Sequence, residues 1–189
     1  TGVDASEAQL AQARDAGPGP EFVKGDLAAL GEAVTGSFGA AISVGNGLPH
    51  LFEGPMASFL AGLAKLLLPG APVLFQLLNY DRIHDGRVTS LPLNVREDEA
   101  ERVVFLRLMD PRPDGSVLFN PTTLRWRPGE EPPVEVVTGK NVLLKGWRRA
   151  ELEATLGAAG FRVEEVFGGM RREEWDAAAS PDTVVLARR

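Results

Sequence analysis

Two rhythms of apolar and polar positions alternate along the first 80 residues: short apolar runs ending on aspartate, glycine or asparagine, and longer stretches with a helical period. Gly2–Asp4 ends a strand, and Ser6 to Ala16 predicts a helix with Ser6 as N-cap and Gln9 three places on as its capping-box partner. "GPGP" at 17–20 breaks the chain before "EFVKGD", a second strand ending at Asp26, and "LAALGEAVTG" predicts a short helix. "FGAAISVG" (38–45) is a continuous apolar run bounded by glycine, the pattern of a strand buried on both faces. In "MASFLAGLAKLLLPG" the apolar positions 56, 59, 60, 63, 66 and 67 form one helical face that stops at Pro69-Gly70, and the strand "APVLFQLLNYD" follows.

The rhythm changes between Asp81 and Gly146. "RVVFLRLMD", "GSVLFNPTTLRWR" and "PVEVVTGKNVLLK" are alternating or β-branched runs separated by "PRPDG" and "RPGEEPP", which predicts an antiparallel meander. Afterwards come an amphipathic helix, "RRAELEATLGAAG", and two strands, "FRVEEVFGG" and "DTVVLARR". The fold class expected is α/β, a Rossmann-like doubly wound sheet built from 1–80 and 147–189, with an antiparallel β insertion or lid at 81–146.

Composition narrows the chemistry. A chain of 189 residues, 44% hydrophobic, supports one sizeable core, and a net charge of −6 leaves no basic footprint for nucleic acid or an anionic membrane. With no cysteine and two histidines, disulfide, thiolate and zinc-cage chemistry fall away. The longest apolar run, Phe59 to Leu68, is interrupted by Lys65 and too short to span a bilayer, so a cytoplasmic protein is expected. The excess of arginine over lysine, with abundant Ala, Gly and Pro, reads as the codon bias of a GC-rich bacterium.

Candidate functional residues cluster at strand ends, where open α/β sheets bind ligands. Asp4 is placed to accept from both hydroxyls of a ribose, or else to serve the dipole of the following helix. Asp26 in "VKGDL" is placed to accept from an adenine amine beside the Leu27 amide, or to cap the next turn. "SVGNGLPHL" exposes backbone and the Asn46 amide, with Asn46 in a left-handed turn and His50 as a cap in the alternative reading. "LLNYD" brings Asn79, Tyr80 and Asp81 to the end of another strand, where Tyr80 is either a substrate contact or a core-edge aromatic.

"GVDAS", "FVKGDL", "FGAAISVGNGLPHL", "LLLPGAPVLFQLLNYD" and the C-terminal "RRAELEATLGAAGFRVEEVFG" with "SPDTVVLAR" together resemble the class I S-adenosylmethionine-dependent methyltransferases. Within that superfamily they look most similar to the glycine and sarcosine N-methyltransferase-like branch, on Gly45, Asn46, His50, Asn79, Tyr80 and Asp81. The resemblance implies S-adenosylmethionine as cofactor and a small-molecule methyl acceptor. It implies cofactor contacts from Asp4, Ala5, Asp26, Leu27, Ser43, Val44, Gly45 and Asn46, and substrate contacts from Asn46, Asn79 and Tyr80. His50, Tyr80 and Asp81 are the catalytic candidates, with His84 a further proton acceptor.

Two departures qualify it. Members that methylate glycine carry an arginine where this chain has Leu78, which argues against a small amino acid as acceptor. The family's first strand and glycine-rich loop are expected before Thr1, so a sheet without them is expected to have an open centre and to bind the cofactor weakly or not at all. The meander supplies a lid or a homodimer surface, and either Trp126 or Trp147 lines the acceptor site or packs. Two alternatives remain: a noncatalytic methyltransferase-like module that binds a partner or dimerises, and a nicotinamide-dependent oxidoreductase, against which the antiparallel end "DTVVLARR" argues.

Overall fold

A computed structural model describes residues 1–97 and 101–189. The N-terminal unit is a parallel pair, β1 (Gly2–Asp4) against β2 (Phe22–Lys24), joined by α1 (Glu7–Asp15). Ser6 caps α1 as predicted, its hydroxyl accepting from the Gln9 amide at 3.4 Å. The reciprocal half of the capping box is taken by Asp4, whose Oδ1 accepts from the Ser6 amide at 2.7 Å. Strand β2 ends at Lys24, two residues sooner than expected, because Asp26 turns the chain: its Oδ1 accepts from the Ala28 amide at 2.8 Å and caps a 3-10 turn, Leu27–Ala29. Helix α2 (Leu30–Ala33) continues from it.

The larger core sheet has the order β10-β11-β4-β3, from β3 (Ala41–Ser43), β4 (Pro72–Leu78), β10 (Arg162–Phe167) and β11 (Asp182–Arg188). β3 runs parallel to β4, whereas β11 is inserted antiparallel between β4 and β10. Along β4 the burial alternates, Val73, Phe75 and Leu77 being fully buried. Their face is covered by α3 (Glu53–Leu66), which buries Met56, Phe59, Leu60, Leu63 and Leu66, and the same core takes Leu152 and Leu156 of α5 (Arg149–Ala158). At five side chains of about 1.5–3 kcal/mol each, the α3 stripe contributes on the order of 10 kcal/mol of apolar burial before conformational entropy is charged against it. Gly62 lies against Gly31, where a Cβ would come within 3.2 Å of the Gly31 amide nitrogen, which lets α3 pack closely on α2.

One expectation is corrected here. The run 38–45 forms a strand only over Ala41–Ser43 and is not buried on both faces, Ile42 being 74% exposed. Among the described residues no strand pairs with both β1 and β3, so each presents an open edge, and the parallel pair and the larger sheet stand on either side of a slot.

The insertion is a third sheet, antiparallel, β5-β6-β7-β8, from β5 (Asn94–Glu97), β6 (Arg102–Pro111), β7 (Ser116–Trp126) and β8 (Val134–Gly139), with β9 (Val142–Lys145) on the other end of β7. Met109, Val117 and Leu144 press one face onto the core. Trp147, expected either at the acceptor or in packing, is fully buried and donates from Nε1 to the Leu51 carbonyl at 2.9 Å.

Candidate functional site

The slot between the sheets holds a cavity of about 580 Å³, within the range of small-ligand sites. One wall is Val3, Asp4 and Leu27 from the N-terminal unit, and the other is Ser43, Val44 and Gly47 from the end of β3. Four of the residues expected to hold an adenosyl group therefore share one cavity. Asp26 stands beside it as the residue before Leu27, and Ala5 follows Asp4 on the exposed rim. Each carboxylate uses one oxygen on its own turn, and among the described residues the second accepts no hydrogen bond. The Asp4 carboxylate is the one acidic group that lines this cavity among the described residues; the rest of its lining is mostly apolar, with Val3, Leu27 and Val44 on the walls and Phe59, Leu63, Val73 and Phe75 of α3 and β4 behind them.

At the end of β3 the backbone turns through two left-handed residues, Gly45 (φ 79°) and Asn46 (φ 63°). That bend returns the Asn46 side chain to the sheet. Its Oδ1 accepts from the Leu78 amide at 3.0 Å and its Nδ2 donates to the Tyr80 hydroxyl at 3.2 Å. Gln76 fixes the neighbouring residue: its Oε1 accepts from the Gly45 amide at 2.6 Å, while its Nε2 donates to Asp182 Oδ1 at 3.0 Å. Burial raises the Asp182 carboxyl above its ordinary range. Neither Gln76 nor Asp182 was a sequence candidate, although an amide in the middle of the apolar run "VLFQLL" is a visible signal.

The "NYD" residues are engaged within the protein. Asn79 caps α4 (Tyr80–Asp85), its Oδ1 accepting from the Arg82 amide at 3.1 Å, and its Nδ2 donates to the carbonyls of Asp176, Ala177 and Ser180 at 3.1–3.2 Å. Tyr80 is 0% exposed, and burial, opposed weakly by Asn46, holds its hydroxyl in the protonated form. Asp81 reaches across to α5, where its Oδ2 accepts from the Arg149 amide at 2.8 Å. Strand β4 was expected to run through Asp81; it stops at Leu78 because these three residues start a helix.

The two histidines differ. His50, in the 3-10 turn Leu48–His50, lies on the exposed side of the loop after Asn46, and burial first and Lys140 second lower its pKa from 6.5. His84 Nε2 is buried with no well-formed hydrogen bond among the described residues. Burial and then Arg148 lower its pKa, against smaller opposing effects of the Gly115 carbonyl, Asp85 and Asp81. Among the described residues no cluster of His, Cys, Asp and Glu is arranged to hold a metal ion, and no helix is long and apolar enough to cross a membrane.

No protein-family model and no curated protein matches the chain. Solved structures do. CalS10, an amino pentose methyltransferase from Micromonospora echinaspora solved with S-adenosylmethionine bound, matches over 100% of this chain and 72% of its own, at 18% identity and a TM-score of 0.74. An S-adenosylmethionine-dependent methyltransferase from Clostridium acetobutylicum matches over 98% of this chain and 73% of its own, at 12% identity and a TM-score of 0.75. The sugar N-methyltransferase KedS8 from a Streptoalloteichus species matches over 100% of this chain and 70% of its own, at 17% identity and a TM-score of 0.71. The strand order with an antiparallel β11, the slot and the inserted meander thus make up a Rossmann-like fold of the kind found in S-adenosylmethionine-dependent methyltransferases.

Proposed function

We propose that this chain carries the adenosyl-binding side of a methyltransferase that uses S-adenosylmethionine and acts on a small molecule. The observation that supports it is the convergence of Asp4 and Leu27 with Ser43 and Val44 on one cavity, in this fold. An amino sugar, the acceptor class named for two of the neighbours, is the first acceptor to test. The glycine and sarcosine branch is the finer form of the proposal, and Leu78 in place of its arginine weighs against a small amino acid. The nicotinamide alternative is disfavoured by β11, since doubly wound dinucleotide sheets are mostly parallel.

In the proposed mechanism Asp4 accepts from the ribose hydroxyls, Asp26 and the Leu27 amide meet the base, and Ser43 to Asn46 run beside the sulfonium end. When bound, the cofactor supplies an electrophilic methyl group on a good leaving group. The protein's work is alignment and exclusion of water. Asn46, locked by Leu78 and Tyr80, holds the β3 loop in one conformation, so Tyr80, Asn79 and Asp81 act here as positioning residues. His50 is the proton acceptor in this reading: its lowered pKa keeps the imidazole neutral near pH 7, while His84 is sealed beneath Gly146.

Titration calorimetry of S-adenosylhomocysteine into the full-length gene product tests the proposal. Binding is expected, weakened about 10–100-fold by Asp4→Ala, the equivalent of one or two charge-assisted hydrogen bonds. No binding to the folded protein would overturn the reading, and undiminished affinity in Asp4→Ala would overturn the ribose assignment.

A further inference from the structure

The strand that closes the insertion is broken in one place. β8 pairs with β7 as far as Gly139, opposite Thr122, and β9 resumes at Val142, opposite Phe119, so an unshifted register sets Lys140 opposite Pro121 and Asn141 opposite Asn120. Pro121 has no N–H to donate, and the ladder lapses beside it. The break is braced from the outward face. Asn120 Nδ2 donates to Asn141 Oδ1 at 2.9 Å, Thr122 Oγ1 donates to Asn120 Oδ1 at 2.5 Å, and Gly139 lies so near Thr122 that a Cβ there would come within 2.9 Å of its Oγ1. Side chains alternate along a strand. Leu144 is buried from the inward face, and Val142 and Lys140, two and four residues before it, share that face.

The inward face of β9 packs against the 3-10 turn Leu48–His50, and Lys140 is close enough to His50 for its charge to act on the imidazole. The other charges on the elements around that turn are taken. Lys145 of β9 pairs with Glu53 at the start of α3 at 2.9 Å and with Glu151 of α5 at 2.8 Å. Lys140 is exposed and has no ion pair among the described residues. A cation held there by a braced strand, with no carboxylate to neutralise it, meets a like charge whenever the imidazole takes a proton. The same charge disfavours an ammonium brought against His50, and an amine accepts a methyl group only through the lone pair of its neutral form.

We infer that Lys140 is a positioning residue for the acceptor: from the break between β8 and β9 it holds a positive charge over His50, so that base and amine meet in their neutral forms. The placement of the charge stands on the insertion alone, and its part in the chemistry rests on the methyl-transfer reading. Two experiments keep these apart. The first is an NMR titration of the two imidazoles of this chain, which needs neither cofactor nor acceptor. The His50 pKa is expected to rise by roughly 0.3–0.6 in Lys140→Gln and by about twice that in Lys140→Glu, the effect of one and two unit charges several ångströms away in a water-like dielectric. Lys140→Arg is expected to leave it in place, and ~0.5 M salt to shrink the differences. His84, which answers to Arg148, Asp85 and Asp81 instead, is the internal control and is expected not to move. A His50 pKa unmoved by Lys140→Glu, or two histidines that move together, would overturn the inference. The second experiment is the pH profile of kcat/KM for an amino sugar in the full-length gene product. Its acid limb is expected to shift to higher pH in Lys140→Glu by as much as the His50 pKa does, and to return in Lys140→Arg. A limb that stays in place while the His50 pKa moves would overturn the role assigned to Lys140.

Discussion

Replacing Asn79 with alanine removes a side chain that ties the start of α4 to the loop before β11. Its Oδ1 holds the first turn of α4 through the Arg82 amide, and its two amide protons are shared among the carbonyls of Asp176, Ala177 and Ser180 in the loop before β11. An N-cap is worth about 1 kcal/mol and each buried hydrogen bond about 1 kcal/mol. With one cap and two donated protons lost at a position 1% exposed, the expected destabilisation is about 3 kcal/mol. For a chain of this size that corresponds to a fall of roughly 6–12 °C in Tm. Asn79→Asp is the sharper test, because it keeps the cap but turns a carboxylate toward three carbonyl oxygens. The introduced carboxyl is expected to have a raised folded-state pKa, so the native state binds its proton more tightly than the unfolded chain. The sign follows: the variant is expected to be less stable than Asn79→Ala at pH 8 and to recover relative to it as pH falls toward 4.5. Urea denaturation at the two pH values measures both quantities. A cost below about 1 kcal/mol for alanine, or a pH-independent difference between the two variants, would refute the reasoning.

Two further outcomes follow from the contact between α4 and the insertion. His84 has a lowered pKa, so its contribution to stability is present above its ordinary value of 6.5 and is lost as pH falls below it. Denaturation midpoints between pH 7.5 and 5.5 are expected to fall in the wild type and to fall less in His84→Gln, an equal slope being the contrary result. Gly146→Ala would drive a Cβ into His84 Nε2 and to 2.7 Å from the Gly115 carbonyl, and is expected to destabilise the protein by about 1–3 kcal/mol in the same assay.

The residues that ended the predicted strands were informative because a strand's tip and the residue types there are local properties. Asp4 does end β1, and the apolar stripe of α3 buries the face expected from its spacing. Asp26 took the capping role that had been weighed beside the ligand role, since a carboxylate two residues before a free amide folds back on it more readily than it extends a strand. Tyr80 and Asp81 were read as the end of a strand because six residues carry too little helical period to compete with the apolar run before them. The Gly45–Gln76–Asp182 chain was hidden for another reason. It joins residues brought together only when β11 enters the sheet beside β4, and no local pattern records that pairing.

The position of β11 also dictates an order of events in folding. Leu78 pairs with Asp182, about a hundred residues further along the chain, whereas each hairpin of the meander closes between near neighbours. Hairpins of low contact order form ahead of so distant a partnership, so the insertion organises itself while β4 still waits for its antiparallel neighbour. Joining β4 to β11 is accordingly expected to come after those hairpins, and the loop that Asn79 clamps is expected to order with it.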